Sequence, residues 1–311
     1  MHLDRPFTGQ GLTPERRSLR REEVFSSLDR ALRIAGERGA RFVLVAGDLF
    51  EARHVRERTL ARLAEALDAT GLPVLIAPGN HDALVAGSPY LVRPWPRNVH
   101  VFGPDPTPLR LDNVTIWGAG LVSGRDRRER LQGFQAPRDG TRHLFLLHGS
   151  ASGGGEATTR RVAPFSPADV RDARLSYLAL GHLHRFLVLS RRDGDVVGAY
   201  PGPPESISFS MANANHGVLW GTMGATGAVQ LELIAVGHRR HRSLVLDVTA
   251  ATDPDAVADL ILQRVPADEA ARDLYRITLV GRAPAEAADR QEIERALLDR
   301  FFAVRIRSLA R

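Results

Sequence analysis

No cysteine occurs in this 311-residue chain, which excludes disulfides, thiolate metal sites and cysteine nucleophiles. Lysine is absent as well, so all 42 basic residues are arginine. A GC-rich coding bias explains that composition more readily than a selected basic surface does. The net charge of +6 is therefore compatible with a nucleic-acid partner without establishing one. Arginine would serve such a partner well, because its planar fork grips two phosphate oxygens at once. No apolar run approaches the roughly 20 residues of a membrane helix, and no signal-peptide pattern opens the chain. A cytoplasmic protein with no membrane association is expected.

What is present is a set of strand-like apolar runs, several ending in a polar motif. Gly47-Asp48 follows Phe42 to Ala46, Gly79-Asn80-His81-Asp82 follows Val74 to Ala77, His148-Gly149 follows Leu144 to Leu147, and Gly181-His182-Leu183-His184 follows Leu175 to Leu180. The periodicity predicts a helix from Pro14 to about Arg38, a strand over Arg41–Ala46, a helix over Val55–Ala69 and a strand over Pro73–Ala77. Such alternation indicates a largely parallel sheet with functional loops at its strand ends. Further strands are expected at Val99–Phe102, Leu109–Trp117 and Arg142–Leu147. The arginine-rich piece Arg125–Arg130 reads as a solvated helix face. Four short runs between Phe186 and Val236 suggest an antiparallel second sheet. The polar stretch His238–Arg242 reads as a solvated linker and sets a boundary between domains 1–237 and 238–311. After it come strand Ser243–Val248, helix Pro254–Arg264, strand Leu274–Gly281, helix Ala285–Phe302 and strand Val304–Ser308.

The strand-end motifs carry the chemistry. In extended chain, residues two apart face the same side, so His182 and His184 can aim two imidazoles at one volume. Asp48, Asn80, His148, His182 and His184, with His2 as a further imidazole, offer a mixed oxygen and nitrogen set that suits Mn, Fe or Zn and not a calcium cage. Six ligands are too many for one tetrahedral zinc. They fit two ions about 3.5–4 Å apart sharing Asp48, an arrangement that generates a nucleophile near neutral pH and clamps both oxygens of an in-line displacement at phosphorus. Hydrolysis of a phosphate ester is the indicated reaction. The Gly-, Ser- and Thr-rich loop from Gly149 to Pro164 carries Arg160 and Arg161, and a loop beside the histidines is well placed to touch substrate.

Taken together and in this order, these motifs resemble the calcineurin-like metallophosphoesterase superfamily. Gly47-Asp48-Leu49-Phe50, Ala179 to Arg185, and Tyr200-Pro201-Gly202 are similar to SbcD-type DNA repair exonucleases, particularly the YhaO-like branch. The resemblance implies an α/β fold, a four-layer αββα sandwich of two mixed sheets, with a small C-terminal α/β capping domain. It implies two manganese ions bridged by Asp48, one held by Asn80, His148 and His182, the other by His2 and His184. His81 would steady the transition state or protonate the leaving oxygen, and Asp82 would orient His81 or its loop. Arg160, Arg161 and Tyr200 are the candidate substrate contacts. DNA as substrate, an SbcC-like coiled-coil ATPase as partner and a homodimer are the implied associations. The family pattern opens on Asp-x-His at the end of a first strand. Here His2 takes the histidine place, so the aspartate and its strand would precede Met1, as a late start or a truncation would leave them. A phosphoesterase for small nucleotides or phosphoproteins, and a non-catalytic DNA-binding subunit, stay open beside the nuclease reading.

Overall fold

The computed structural model describes residues 1–152, 161–191, 193–224, 227–284 and 286–309. They divide into two compact units: one comprises Met1–Arg5, Val24–Pro204 and Asn215–Val236, the other Pro6–Glu23, Glu205–Ala214 and Gly237–Arg311. Helix α1 (Pro14–Glu37) gives residues to both.

In the first unit, β1 (Val43–Val45), α2 (Glu57–Asp68), β2 (Val74–Ile76), α3 (Pro89–Val92) and β3 (Val99–Val101) build a three-stranded parallel sheet in the order β1-β2-β3. Parallel neighbours need a crossover, which α2 supplies between β1 and β2. Its Leu60, Leu63 and Leu67 recur at helical spacing and are buried, so the helix has one apolar face. A six-stranded mixed sheet follows from β4 (Thr107–Leu111), β5 (Val114–Ala119), β6 (Arg142–His148), β7 (Tyr177–Gly181), β8 (Leu187–Ser190) and β9 (Val196–Tyr200), ordered β4-β5-β6-β7-β9-β8, with α4 (Pro167–Asp172) preceding β7. An antiparallel hairpin, β10 (Val218–Met223) with β11 (Val229–Ile234), completes the unit.

Alternation along β6 explains the layering. Leu144 and Leu146 join Leu75, Ala77, Ile116, Leu219 and Leu231 in one core cluster, while Phe145 and Leu147 join Leu121, Phe165, Leu178 and Leu180 in another. A strand apolar on both faces is one covered on both faces. The result is an α/β sandwich of packed sheets, and β6 and β7 deliver their terminal residues, His148 and Gly181, side by side.

Three expectations for this unit need correction. The single strand expected over Leu109–Trp117 is a hairpin, β4 pairing antiparallel with β5 through Leu111 and Val114. Asp112, at φ 53, turns the chain there, a conformation that short polar residues tolerate. The four runs after His184 do not form one antiparallel sheet: β9 lies parallel to β7 in the large sheet, with β8 on its far side, and β10-β11 stands as a separate hairpin. Residues 125–130 are not helical. Asp126 and Arg130 are buried, the carboxylate accepting two guanidinium hydrogen bonds at 2.7 and 3.1 Å, while Arg130 also donates to the carbonyls of Gly120 and Pro104.

The second unit contains β12 (His241–Asp247), α5 (Pro254–Arg264), α6 (Ala267–Arg272), β13 (Leu274–Val280), α7 (Arg290–Leu297) and β14 (Ala303–Ser308). Its three strands are parallel in that order, and Val257, Ile261, Ile293 and Leu297 of the helices pack on Ile277, Leu279 and Ile306. The last helix is shorter than the expected Ala285–Phe302, because Asp289 caps it by accepting from the amides of Gln291 and Glu292. The stretch 238–242 is no solvated linker. His241 is buried between the Ser206 hydroxyl and the Gln10 amide oxygen, 2.9 Å from each, and Arg242 pairs with Asp273 at 3.0 Å. Glu205 accepts from the amides of His238 and Arg239 and also from Arg20, a fully buried guanidinium that pairs with Glu23 as well.

The Asp126–Arg130 pair makes a stability prediction. Burial alone would raise the Asp126 carboxyl, but hydrogen bonds from Arg130, Arg128 and two backbone amides hold it well below the usual carboxylate range. A carboxyl depressed by folding contributes fully above its unfolded pKa of about 4 and loses that contribution as pH falls through the folded value. Arg130→Ala, which leaves the buried carboxylate to Arg128 and two backbone amides, should lower the unfolding free energy by about 1–3 kcal/mol at neutral pH. Urea titrations at several pH values should also show a shallower acid limb for Asp126→Asn than for the wild type.

Candidate metal centre

Every candidate ligand lies in the first unit, and the strand ends bring them together. Met1–Arg5 runs beside the chain leaving β1: the amides of His2 and Leu3 donate to the carbonyls of Asp48 and Leu49, and Leu3 bridges Phe50 in parallel. Gly47 has φ 75, and a Cβ there would stand 2.6 Å from both Gly79 and His148. Only glycine lets the turns after β1 and β2 close this tightly. Gly181 answers the same need at β7, where a Cβ would meet the Ala46 carbonyl oxygen at 1.8 Å. His2, Asp48 and His182 all have positive φ, backbone strain of the kind that collects where surrounding structure fixes a functional geometry.

Asp48 sits at the middle. Its Oδ2 is 3.7 Å from His2 Nε2 and 3.4 Å from His148 Nε2, and its Oδ1 accepts from the His81 amide at 2.8 Å. One donor group is His2, Asp48 and His184, with ligand atoms within 4.8 Å of one another. The other side is formed by Asn80, whose Oδ1 lies 2.9 Å from His148 Nε2, and by His182, whose ring packs edge-on against His148 at 5.2 Å. Burial would raise Asp48, yet the imidazoles of His148, His2 and His81 outweigh it and hold the carboxyl low. Burial pushes His148 down to about 4 and His184 down to about 3. His2 is also lowered, by burial first, against an opposing hydrogen bond to Glu51. These rings are therefore neutral at physiological pH, the form that binds metal.

The donor geometry fits a divalent cation. His148 Nδ1 is 2.8 Å from the Ala46 carbonyl oxygen, which can only accept, so the proton is on Nδ1. The Nε2 lone pair then faces the Asp48 carboxylate and the Asn80 oxygen. His2 repeats the pattern, with Nδ1 donating to Glu51 at 2.9 Å and Nε2 turned toward Asp48 and, at 3.1 Å, His184. Converging lone pairs repel unless a cation lies among them. A cavity of about 750 Å³ opens at this cluster and continues past Leu28, Leu32, Leu44 and Leu231. Those walls are apolar, and Arg41, Asn113, Arg142 and Thr222 line the cavity as well.

The other site candidates separate clearly. Asp82 does not touch the His81 ring. Fully buried, it accepts from the amides of Gly79, Asp48 and Leu49 and from the Tyr90 hydroxyl, so it holds the two loops and is a positioning residue. Burial and the nearby charge of Asp48 raise it to about 6. The His81 ring instead donates from Nδ1 to Glu51 at 2.8 Å, which raises its pKa. Glu51 escaped the sequence reading; its only signal was its place directly after Gly47-Asp48-Leu49-Phe50. Tyr200, expected against substrate, is fully buried. Its hydroxyl donates to the Gly149 carbonyl and accepts from the Ala151 amide, which fixes the loop after β6. Arg161 is half-buried, with a buried Nε lacking a hydrogen-bond partner. Arg160 lies outside the described residues. Among the described residues no helix is long and apolar enough to cross a membrane.

If the cluster binds cations, manganese should raise the unfolding temperature of the wild type, by about 2.7 kcal/mol of stabilisation at a hundredfold excess over Kd. Asp48→Asn and His148→Ala should abolish the shift in thermal scans. Residues 2–186 match the family described as calcineurin-like phosphoesterase. Among curated proteins, the chain is 30% identical over 212 residues to the uncharacterized metallophosphoesterase YhaO of Bacillus subtilis strain 168, covering 65% of this chain and 50% of that one. It is 26% identical over 216 residues to the DNA double-strand break repair protein Mre11 of Thermoplasma acidophilum, covering 62% and 53%. The chain thus spans about half the length of the curated relatives it matches. A solved structure, TT1561 of Thermus thermophilus, aligns at 14% identity and a TM-score of 0.42 over 68% of this chain and 94% of that one. With the family match running from His2 through the histidines of β7's end, the chain belongs to the calcineurin-like phosphoesterase family.

Proposed function

We propose that this protein is a metal-dependent phosphodiesterase that cuts DNA in repair. The observation that carries the reading is the single Asp48 oxygen facing two groups of donors, His2 with His184 and His148 with Asn80. Asp48 would be shared between two ions, most simply manganese; Asn80, His148 and His182 would complete one site, His2 and His184 the other. Bound there, the ions supply Lewis acidity and a nucleophile at neutral pH. The chain's own part is to hold the diester so that water attacks phosphorus opposite the leaving oxygen. His81, whose ring is partly exposed beside the cluster, gives a proton to that oxygen as the bond breaks, leaving a phosphate monoester and a free hydroxyl. Arg161 would meet a backbone phosphate. The similarity to a protein named for double-strand break repair supports DNA over small esters, and the net positive charge is compatible with it. An SbcC-like coiled-coil ATPase partner, a homodimer and a cytoplasmic setting belong to the same proposal.

The test is hydrolysis of labelled duplex ends, cyclic nucleotides and bis(p-nitrophenyl) phosphate with manganese. DNA cleavage is expected, and His81→Asn should lower its rate about 10²- to 10⁴-fold while calorimetry shows metal binding unchanged. Turnover of the small esters without any DNA cleavage would sink the nuclease assignment.

A further inference from the structure

Glu51 stands between two imidazoles that the proposed reaction uses for different tasks. One carboxylate oxygen, Oε1, is 2.9 Å from His2 Nδ1 and the other, Oε2, is 2.8 Å from His81 Nδ1. Arg5 donates to Oε1 at 3.1 Å, and the side chain is only 13% exposed. The two rings meet edge to face, 4.7 Å between centroids. A carboxylate that accepts from both Nδ1 atoms fixes each ring's tautomer and rotation together, since turning either ring by a flip would set a bare nitrogen or a carbon against the carboxylate oxygen.

We propose that Glu51 is a positioning residue that binds the orientation of the metal-side His2 to that of the phosphate-side His81. With Nδ1 protonated on both rings, His2 is left to offer the Nε2 lone pair toward Asp48 and His184, and His81 keeps Nε2 free of Glu51 for the substrate. Arg5 shares the Oε1 oxygen with His2 and helps to hold the carboxylate in place. The inference rests on the roles assigned above to His2 and His81, yet its first readout needs no substrate. A competing role is available from geometry alone: His2, Glu51 and His81 bring ligand atoms within 4.8 Å of one another, so Glu51 could instead be a ligand to a further ion. The 2.8 and 2.9 Å separations are ordinary charge-assisted hydrogen bonds and leave no room for a cation on those lines.

Long-range ¹H–¹⁵N spectra of the metal-free protein, at a pH where the rings are neutral, test this directly. Wild type should show Nδ1-protonated His2 and His81. In Glu51→Gln, which keeps the shape but can accept on one side only, one ring should lose its fixed tautomer; in Glu51→Ala both should. Manganese calorimetry should show unchanged stoichiometry with affinity lower by about 10- to 100-fold. At saturating manganese, kcat on DNA or on the generic diester should fall further than KM rises, with Glu51→Gln intermediate. Wild-type tautomers in both variants would overturn the proposal, and so would the loss of one equivalent of metal, which would make Glu51 a ligand. If no substrate is hydrolysed by the wild type, the functional reading fails while the tautomer and affinity results still judge Glu51.

Discussion

A carboxylate sealed from solvent fixes the site. Asp82 takes hydrogen bonds from three backbone amides in two different loops and from the Tyr90 hydroxyl. Those loops leave neighbouring parallel strands, β1 and β2, and carry Asp48, Glu51, Asn80 and His81 between them. Without that acceptor, three buried N–H groups would lack partners, each at a cost of about 1–3 kcal/mol. The same bonds pull the loops close enough that Gly47 and Gly79 have no space for a side chain. Loop geometry in this protein is thus a matter of polar satisfaction first and of packing second.

Two sheets explain why histidines distant in sequence meet. Parallel strands place their carboxyl ends on one edge, so the residues that follow β1 and β2 gather in one sheet and those that follow β6 and β7 in the other. The close approach of Ala46 to His148 and Gly181 joins the two sets without any local signal linking them. Burial then tunes the rings: those deepest in the cluster are held neutral, while His81, more exposed and paired with Glu51, is biased toward its protonated form. One environment thereby separates donors suited to a cation from a group suited to giving up a proton.

Much of this was readable in the residues. The apolar runs before Asp48, Asn80, His148 and His182 located four strands, because a strand buried on both faces leaves an uninterrupted apolar signature. The motif order carried the family. What the residues concealed were features that depend on partners far away. Tyr200 reads as a polar aromatic near the site, yet its hydroxyl is consumed by the backbone of residues 149–151. Asp82 reads as orienting His81 or its loop, and its oxygens are taken up by the loop amides and the Tyr90 hydroxyl and not by the ring. Asp126 and Arg130 look like members of a solvated charge cluster, and nothing in their spacing tells that three carbonyls and a carboxylate enclose the guanidinium. The Asp112 turn divides a run whose hydrophobic pattern barely changes.

The enclosed guanidinium groups have one more effect. Arginine cannot shed its proton at any pH the protein will meet, so Arg20 and Arg130, unlike lysines, have no neutral form in which to enter a dry interior. A helix α1 slid by one residue would carry Arg20 away from Glu205 and the Ser206 carbonyl and leave its buried cation with Glu23 of the same helix as its remaining partner. Alternative alignments of that segment are thereby priced out, and the charge acts as a register pin for the chain that threads through it.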